Sequence, residues 1–271
     1  MVHLSRTVRF CLNDAAPGGD ASASASDPRR HNGYAGWPAM RGLGRYYQLQ
    51  VRCAGHADAQ TGYFINIKEI DRAFACCALP YLQQLIQEHH TGDAALGAIM
   101  RQLLERLQPA LRSSIVALRL ELTPFYSLTL ESGDMSTIVI RQQFDFAAAH
   151  RLHVPSLSDQ ENRDIFGKCN NPAGHGHNYR LEVAVRAPLT AQGRILPVEA
   201  LDTLVDDAVI QKLDHKHLNL DVPQFAGLNP SVENIAKVIY EMLLPRMGEL
   251  SVKLEEVSVW ETEKTVCTYR G

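Results

Sequence analysis

Gly174-His-Gly-His-Asn-Tyr-Arg-Leu-Glu-Val-Ala-Val-Arg186 is the run from which the rest of the sequence can be read. Tyr179, Leu181, Val183 and Val185 alternate with Arg180, Glu182, Ala184 and Arg186, the period-two pattern of a strand with one buried face. The strand is entered through His175-Gly-His177. On extended backbone an H-x-H sets both imidazoles on one side, about 6.5–7 Å apart, from where ring nitrogens can converge on one ion. Gly174 and Gly176 allow close approach of the backbone. Outward from this strand, Ile138 to Phe146 predicts a preceding strand, which ends in Phe146-Ala-Ala-Ala-His150. His150 shares parity with Phe144 and Phe146. Downstream, Pro197 to Leu213 has helical spacing. Pro230 reads as the first turn of a second helix, with Val232, Ile235, Ala236, Ile239, Met242 and Leu243 on one stripe until Pro245. Ser251 to Glu261 and Thr265 to Tyr269 are the closing strands.

The N-terminal half gives the same order. Thr7 to Leu12 and Arg45 to Cys53 are strand-like, a helix starts near Ile67, and another spans about Ala94 to Leu107. Ile115 to Leu122 and Phe125 to Leu130 form a hairpin through Thr123-Pro124. Tyr47-Gln-Leu-Gln-Val51 parallels Tyr179-Arg-Leu-Glu-Val183. The expected fold is therefore α+β, two tandem ββααββ units with antiparallel sheets and helices on one face. The expected division is residues 1–132, a degenerate repeat without a metal site, and residues 133–271, which carry the chemistry. Between its first two strands the N-terminal copy has the low-complexity stretch Ala15 to Asp27, a composition that predicts mobility.

Composition bounds the function. The 271 residues carry a net charge of -3 and are 45% hydrophobic, ordinary for a globular protein. That balance argues against binding nucleic acid through a basic surface. No apolar run reaches the roughly 18 residues of a membrane helix. Met1 to Arg6 lacks the apolar core of a secretory signal, so a cytoplasmic protein is expected. The six cysteines form no CxxC pair and suit reduced thiols.

His150, His175 and His177 are the candidate metal ligands. Three histidines and one open position make the donor set of a catalytic zinc site. His153 and His217 are nearby alternatives without the strand placement. Cys169, beside Lys168 and six residues before His175, is the candidate base or nucleophile; a neighbouring dication would depress its pKa. Asp214-His215 follows the first helix, and an Asp beside a His can fix one tautomer. Glu261 shares parity with Val257 and Val259, so its carboxylate follows the apolar face and needs a partner. A guanidine-like edge with two N–H donors side by side suits it. Glu233 falls in the first turn of the Pro230 helix, where the helix dipole also favours an acid.

Together these motifs resemble the 6-pyruvoyl tetrahydropterin synthase family, which includes 6-carboxy-tetrahydropterin synthases. Gly167-Lys-Cys-Asn-Asn-Pro-Ala-Gly-His-Gly-His-Asn-Tyr179, Phe146-Ala-Ala-Ala-His150-Arg-Leu, Leu213-Asp-His-Lys-His-Leu-Asn219, Ser231-Val-Glu-Asn-Ile-Ala236 and Trp260-Glu-Thr262 carry the resemblance, over about Ile138 to Gly271. It implies a tunnelling fold, in which units assemble into a barrel as a homo-oligomer with active sites between neighbouring units. It also implies Zn2+ on His150, His175 and His177, and proton transfer by Cys169 with Asp214 and His215. Glu261, with Glu233 second, would anchor the pterin. Glu121 falls in the corresponding N-terminal position. The implied substrate is 7,8-dihydroneopterin triphosphate, whose tail needs local positive charge; Lys168, Arg151, His153 and Lys216 are candidates. The five residues between Cys169 and His175 resemble the 6-pyruvoyl branch. The 6-carboxy branch usually has a shorter gap, and is the alternative. A non-catalytic pterin-binding scaffold is the alternative of another class.

Overall fold

Apolar alternation turns into strands throughout the computed structural model, which describes residues 1–13, 40, 43–88 and 96–271. The stretch Ala15 to Asp27 lies outside the described residues. In sequence order the elements are β1 (Val2–Leu12), β2 (Arg45–Gly55), α1 (Ile67–Ala73), α2 (Leu79–Gln87), α3 (Leu96–Leu107), β3 (Ser114–Thr123), β4 (Tyr126–Glu131) and β5 (Asp134–His150). Then follow α4 (Asp159–Phe166), β6 (His175–Pro188), α5 (Val198–Val205), α6 (Gln211–Leu213), β7 (Lys216–His217), α7 (Leu218–Asp221), α8 (Val232–Leu243), β8 (Lys253–Thr262) and β9 (Thr265–Tyr269). The architecture is α+β, with antiparallel strand pairs and packed helices.

The protein divides into two units, Met1–Val139 with Pro188–Ile195, and Ile140–Ala187 with Leu196–Gly271. In the first, β1, β2, β3 and β4 pair in that order, each antiparallel to the next. Val8, Phe10, Leu49, Val51, Ile115 and Leu118 are buried with the apolar stripe of α3, Ile99, Met100, Leu103 and Leu107. Each such burial contributes about 1.5–3 kcal/mol. Between α1 and α2 a π-turn covers Phe74–Ala78, and Pro80 follows in the first turn of α2. Proline has no N–H to give and its ring crowds the preceding turn, so the helix widens there.

In the second unit the order is β5, β6, β8, β9, with β6–β8 and β8–β9 antiparallel and β7 parallel to β5 at Ala148 and Ala149. Tyr179, Leu181, Val183, Val257 and Val259 form the covered face, against Ile235, Ala236, Ile239 and Leu243 of α8. The other face is polar: Arg141 pairs with Glu256 at 2.8 Å, and Gln143 donates to Glu182 at 3.0 Å. α5 and α6 are again joined by a π-turn, Asp206–Ile210.

Two sequence expectations shift. Pro230 is not in the first turn of α8. Ser231 is its N-cap, accepting from Asn234 N–H, and Pro230 is buried just outside. A Ser satisfies the orphan N–H groups that a Pro cannot. Secondly, the β8–β9 register skips Glu261, between the pairs Trp260↔Val266 and Thr262↔Thr265. The β3–β4 register skips Leu122, between Glu121↔Ser127 and Thr123↔Tyr126. In the β3–β4 hairpin the skipped residue is thus Leu122, and Glu121, expected to parallel Glu261, is paired. Glu121 lies 3.9 Å from Arg119.

Candidate metal centre and active site

His150 is the last residue of β5 and is completely buried. Its Nδ1 lies 2.7 Å from the carbonyl oxygen of Pro230. A carbonyl only accepts, so Nδ1 carries the proton and Nε2 presents a lone pair. That lone pair faces His175 Nε2 at 3.1 Å. The rings of His150, His175 and His177 have centroids 4.5, 5.2 and 4.8 Å apart. Their ligand atoms all lie within 4.8 Å of one another. The H-x-H entry to β6 and the parity of β5 thus bring together the three predicted histidines. Burial, first of all, holds His150 and His175 below the ordinary histidine range. Neutral imidazole is the ligating form.

The donor set fits a small divalent cation such as zinc. His177 Nε2 is shielded from solvent and has no hydrogen-bond partner among the described residues. An orphaned buried nitrogen of this kind calls for a partner that the protein does not supply. Among the described residues His150, His175 and His177 form the one such group.

Of the remaining predicted residues, Glu261 stands against this centre, while Asp214, His215 and Glu233 make their recorded contacts elsewhere. Glu261 occupies the bulge of β8, and bulges redirect side chains. Its Oε1 stands 3.5 Å from His150 Nε2 and 3.6 Å from His177 Nε2. Cys169 lies in the short turn Gly167–Asn170 after α4, and its carbonyl accepts from Leu152 N–H at 2.8 Å. Burial raises the thiol, and the charge of Glu261 adds to it. The protein's own groups therefore raise the thiol, and the expected depression is left to the neighbouring dication. Asp214 Oδ2 lies 2.7 Å from His215 Nδ1, while its Oδ1 accepts from Ala147 N–H at 2.8 Å. His215 N–H in turn reaches Ala147 O at 2.6 Å. The Asp–His pair thus clasps both main-chain groups of a residue three positions before His150. His215 has φ +55 and its side chain is 82% exposed. Glu233 is exposed in the first turn of α8; burial first, and the charge of Glu233 second, raise the Cys267 thiol on β9.

His153 and His217 are outside the three-histidine group. His217 has a steric part. Gly174 has φ +73, and a Cβ there would lie 2.7 Å from His217 Nε2 and 3.0 Å from His150 O. Two contributors were not legible in the sequence. Pro230 acts through its main chain, which no side-chain pattern reports. Tyr179 stacks on Phe146 at 5.0 Å with its hydroxyl 3.5 Å from His150 Nδ1, and burial pushes its phenol far upward, so it stays protonated.

Residues 139–271 match the 6-pyruvoyl tetrahydropterin synthase family. The 6-pyruvoyl tetrahydrobiopterin synthase of Drosophila melanogaster is 42% identical over 127 residues, 46% of this chain and 75% of that protein. The Homo sapiens protein of the same name is 40% identical over 133 residues, 49% of this chain and 90% of that protein. The structure of Caenorhabditis elegans 6-pyruvoyl tetrahydropterin synthase superposes with a TM-score of 0.47 and 36% identity, covering 50% of this chain and 96% of that one. Sequence identity of this order spans most of each of the two named relatives and agrees with the motifs that build the histidine centre, so the chain belongs to the 6-pyruvoyl tetrahydropterin synthase family.

Proposed function

We propose that the protein is a 6-pyruvoyl tetrahydropterin synthase, a lyase that eliminates triphosphate from 7,8-dihydroneopterin triphosphate. The observation that carries the reading is the convergence of three imidazoles, one fixed by Pro230, in a member of this family. His150, His175 and His177 would hold Zn2+. When bound, that ion supplies Lewis acidity toward an oxygen of the substrate tail.

The other steps belong to the protein's own groups. Cys169 and the Asp214–His215 pair take and return protons on the substrate tail. Asp214 holds the proton of His215 on Nδ1, leaving Nε2 to accept. Glu261 receives the N–H edge of the pterin, with Glu233 secondary. The tail loses a proton from carbon and the triphosphate leaving group. Tautomerisation then moves two electrons from tail to ring, so no external reductant is consumed. The exposure of His215 supports a site completed by a neighbouring copy in a homo-oligomeric barrel. The N-terminal unit is read as a degenerate repeat. The π-turn shared by its first helix pair and by α5–α6, and the bulge shared by both hairpins, support that reading. In the test, zinc-loaded wild type consumes 7,8-dihydroneopterin triphosphate, and Cys169→Ala binds equal zinc with turnover lost. Full turnover by that variant would remove Cys169 from the chemistry.

A further inference from the structure

Four asparagines grip the segment that follows His150. Arg151 N–H donates to Asn219 Oδ1 at 2.8 Å and Arg151 O accepts from Asn219 Nδ2 at 2.9 Å. Asn170 Nδ2 donates to Leu152 O at 2.7 Å, His153 N–H donates to Asn229 Oδ1 at 3.0 Å, and Val154 exchanges both main-chain bonds with Asn162. Two basic side chains are thereby fixed beside the Cys169 turn. Arg151 Nε donates to Asn170 O at 3.3 Å, and its Nη2 reaches His153 Nδ1 at 3.4 Å. Asn170 Nδ2 reaches the same His153 Nδ1 at 3.1 Å. Both partners of that nitrogen are donors, since the bond to Leu152 O sets the amide's orientation. Nδ1 therefore accepts, and the neutral ring carries its proton on Nε2.

Arg151 is half-buried and has no carboxylate partner among the described residues. The other half-buried arginines of this unit, Arg141, Arg186 and Arg246, each face one. A guanidinium held only by neutral acceptors retains its appetite for an anion, and its planar fork matches phosphate oxygens. Lys168 and Lys216, by contrast, are solvated. We propose that Arg151 and the Nε2–H of His153 form a polyphosphate subsite, which in the reaction proposed above holds the triphosphate tail of the substrate. This deepens that reading and rests on it only for the identity of the tail.

The test is calorimetric titration of the zinc-loaded full-length protein with inorganic triphosphate. Wild type binds. Arg151→Gln binds about 10- to 100-fold more weakly, the span expected for a lost charged hydrogen bond. Arg151→Lys falls between, and His153→Phe binds more weakly than wild type. Unchanged zinc content certifies the fold of each variant. Absence of binding by wild type, or equal binding by Arg151→Gln, overturns the subsite. Titration with 7,8-dihydroneopterin and its triphosphate separates a bound tail from bound free triphosphate. Arg151→Gln weakens only the ester, and equal weakening of both ligands overturns the assignment. Arg151-dependent binding without any product would sink the proposed reaction and leave the subsite standing. Turnover with Arg151-independent binding would do the reverse.

Discussion

Gly174 is a residue at which even one added methyl group reaches the metal centre. It combines a left-handed φ with contact distances of 2.7 and 3.0 Å from a virtual Cβ to His217 and the His150 carbonyl. Gly174→Ala is predicted to lose about 1–3 kcal/mol of stability from backbone strain, and to lower zinc affinity because His175 is the next residue. Chemical denaturation and zinc titration read the two effects; a variant with wild-type values for both would show that the turn is slack. At this scale the three histidines were legible, because H-x-H spacing and strand parity are local properties. The place of Glu261 was only half legible. Parity aimed it inward, but only the hairpin register shows that it sits in a bulge with its carboxylate against His150 and His177. Pro230 was misread, because proline at a helix start suits both the first turn and the residue before the cap.

Elements carry the orientation of these side chains. The Ser231 cap fixes where α8 starts, and so where the Pro230 carbonyl stands against His150. Ser231→Ala should cost about 0.5–2 kcal/mol and weaken zinc binding, although Ser231 touches no ligand. Unchanged zinc affinity would detach the cap from the centre. Asp214 ties the start of β7 to β5. The Ala147 N–H first, and His215 second, hold its carboxyl below the usual range. The folded state thus binds fewer protons here than the unfolded state. The stability contributed is fully present above the ordinary Asp value and is lost as pH falls through the lowered folded value. Melting temperatures measured down that pH range should show this acid loss in wild type, with a smaller loss in Asp214→Asn. Parallel curves would contradict it. The strands and long helices were legible from period alone. The π-turns, the two-residue β7 and the asparagine grip were not, since each depends on partners far away in sequence.

At the scale of the whole molecule, the order of the main strands and long helices was legible in both halves from their apolar periods. Where the units part was not, since residues 188–195 join the first unit by hydrogen bonds such as Gly97 N–H to Gly193 O. The described chemistry is concentrated in the second unit. A cation bound there only in the folded state stabilises by mass action, by about 2.7 kcal/mol at a hundredfold excess over Kd. Zinc should therefore raise the melting temperature in a concentration-dependent manner, reversed by chelator and abolished in His175→Ala. A melting temperature indifferent to zinc would leave the histidine centre without its cation. The central claim is a pterin elimination run by this centre, and product identification by mass addresses it most directly. Zinc-loaded protein incubated with 7,8-dihydroneopterin triphosphate should yield a 6-pyruvoyl tetrahydropterin and free triphosphate. Intact substrate after incubation with fully zinc-loaded protein, or a 6-carboxy product with a two-carbon aldehyde, would contradict it.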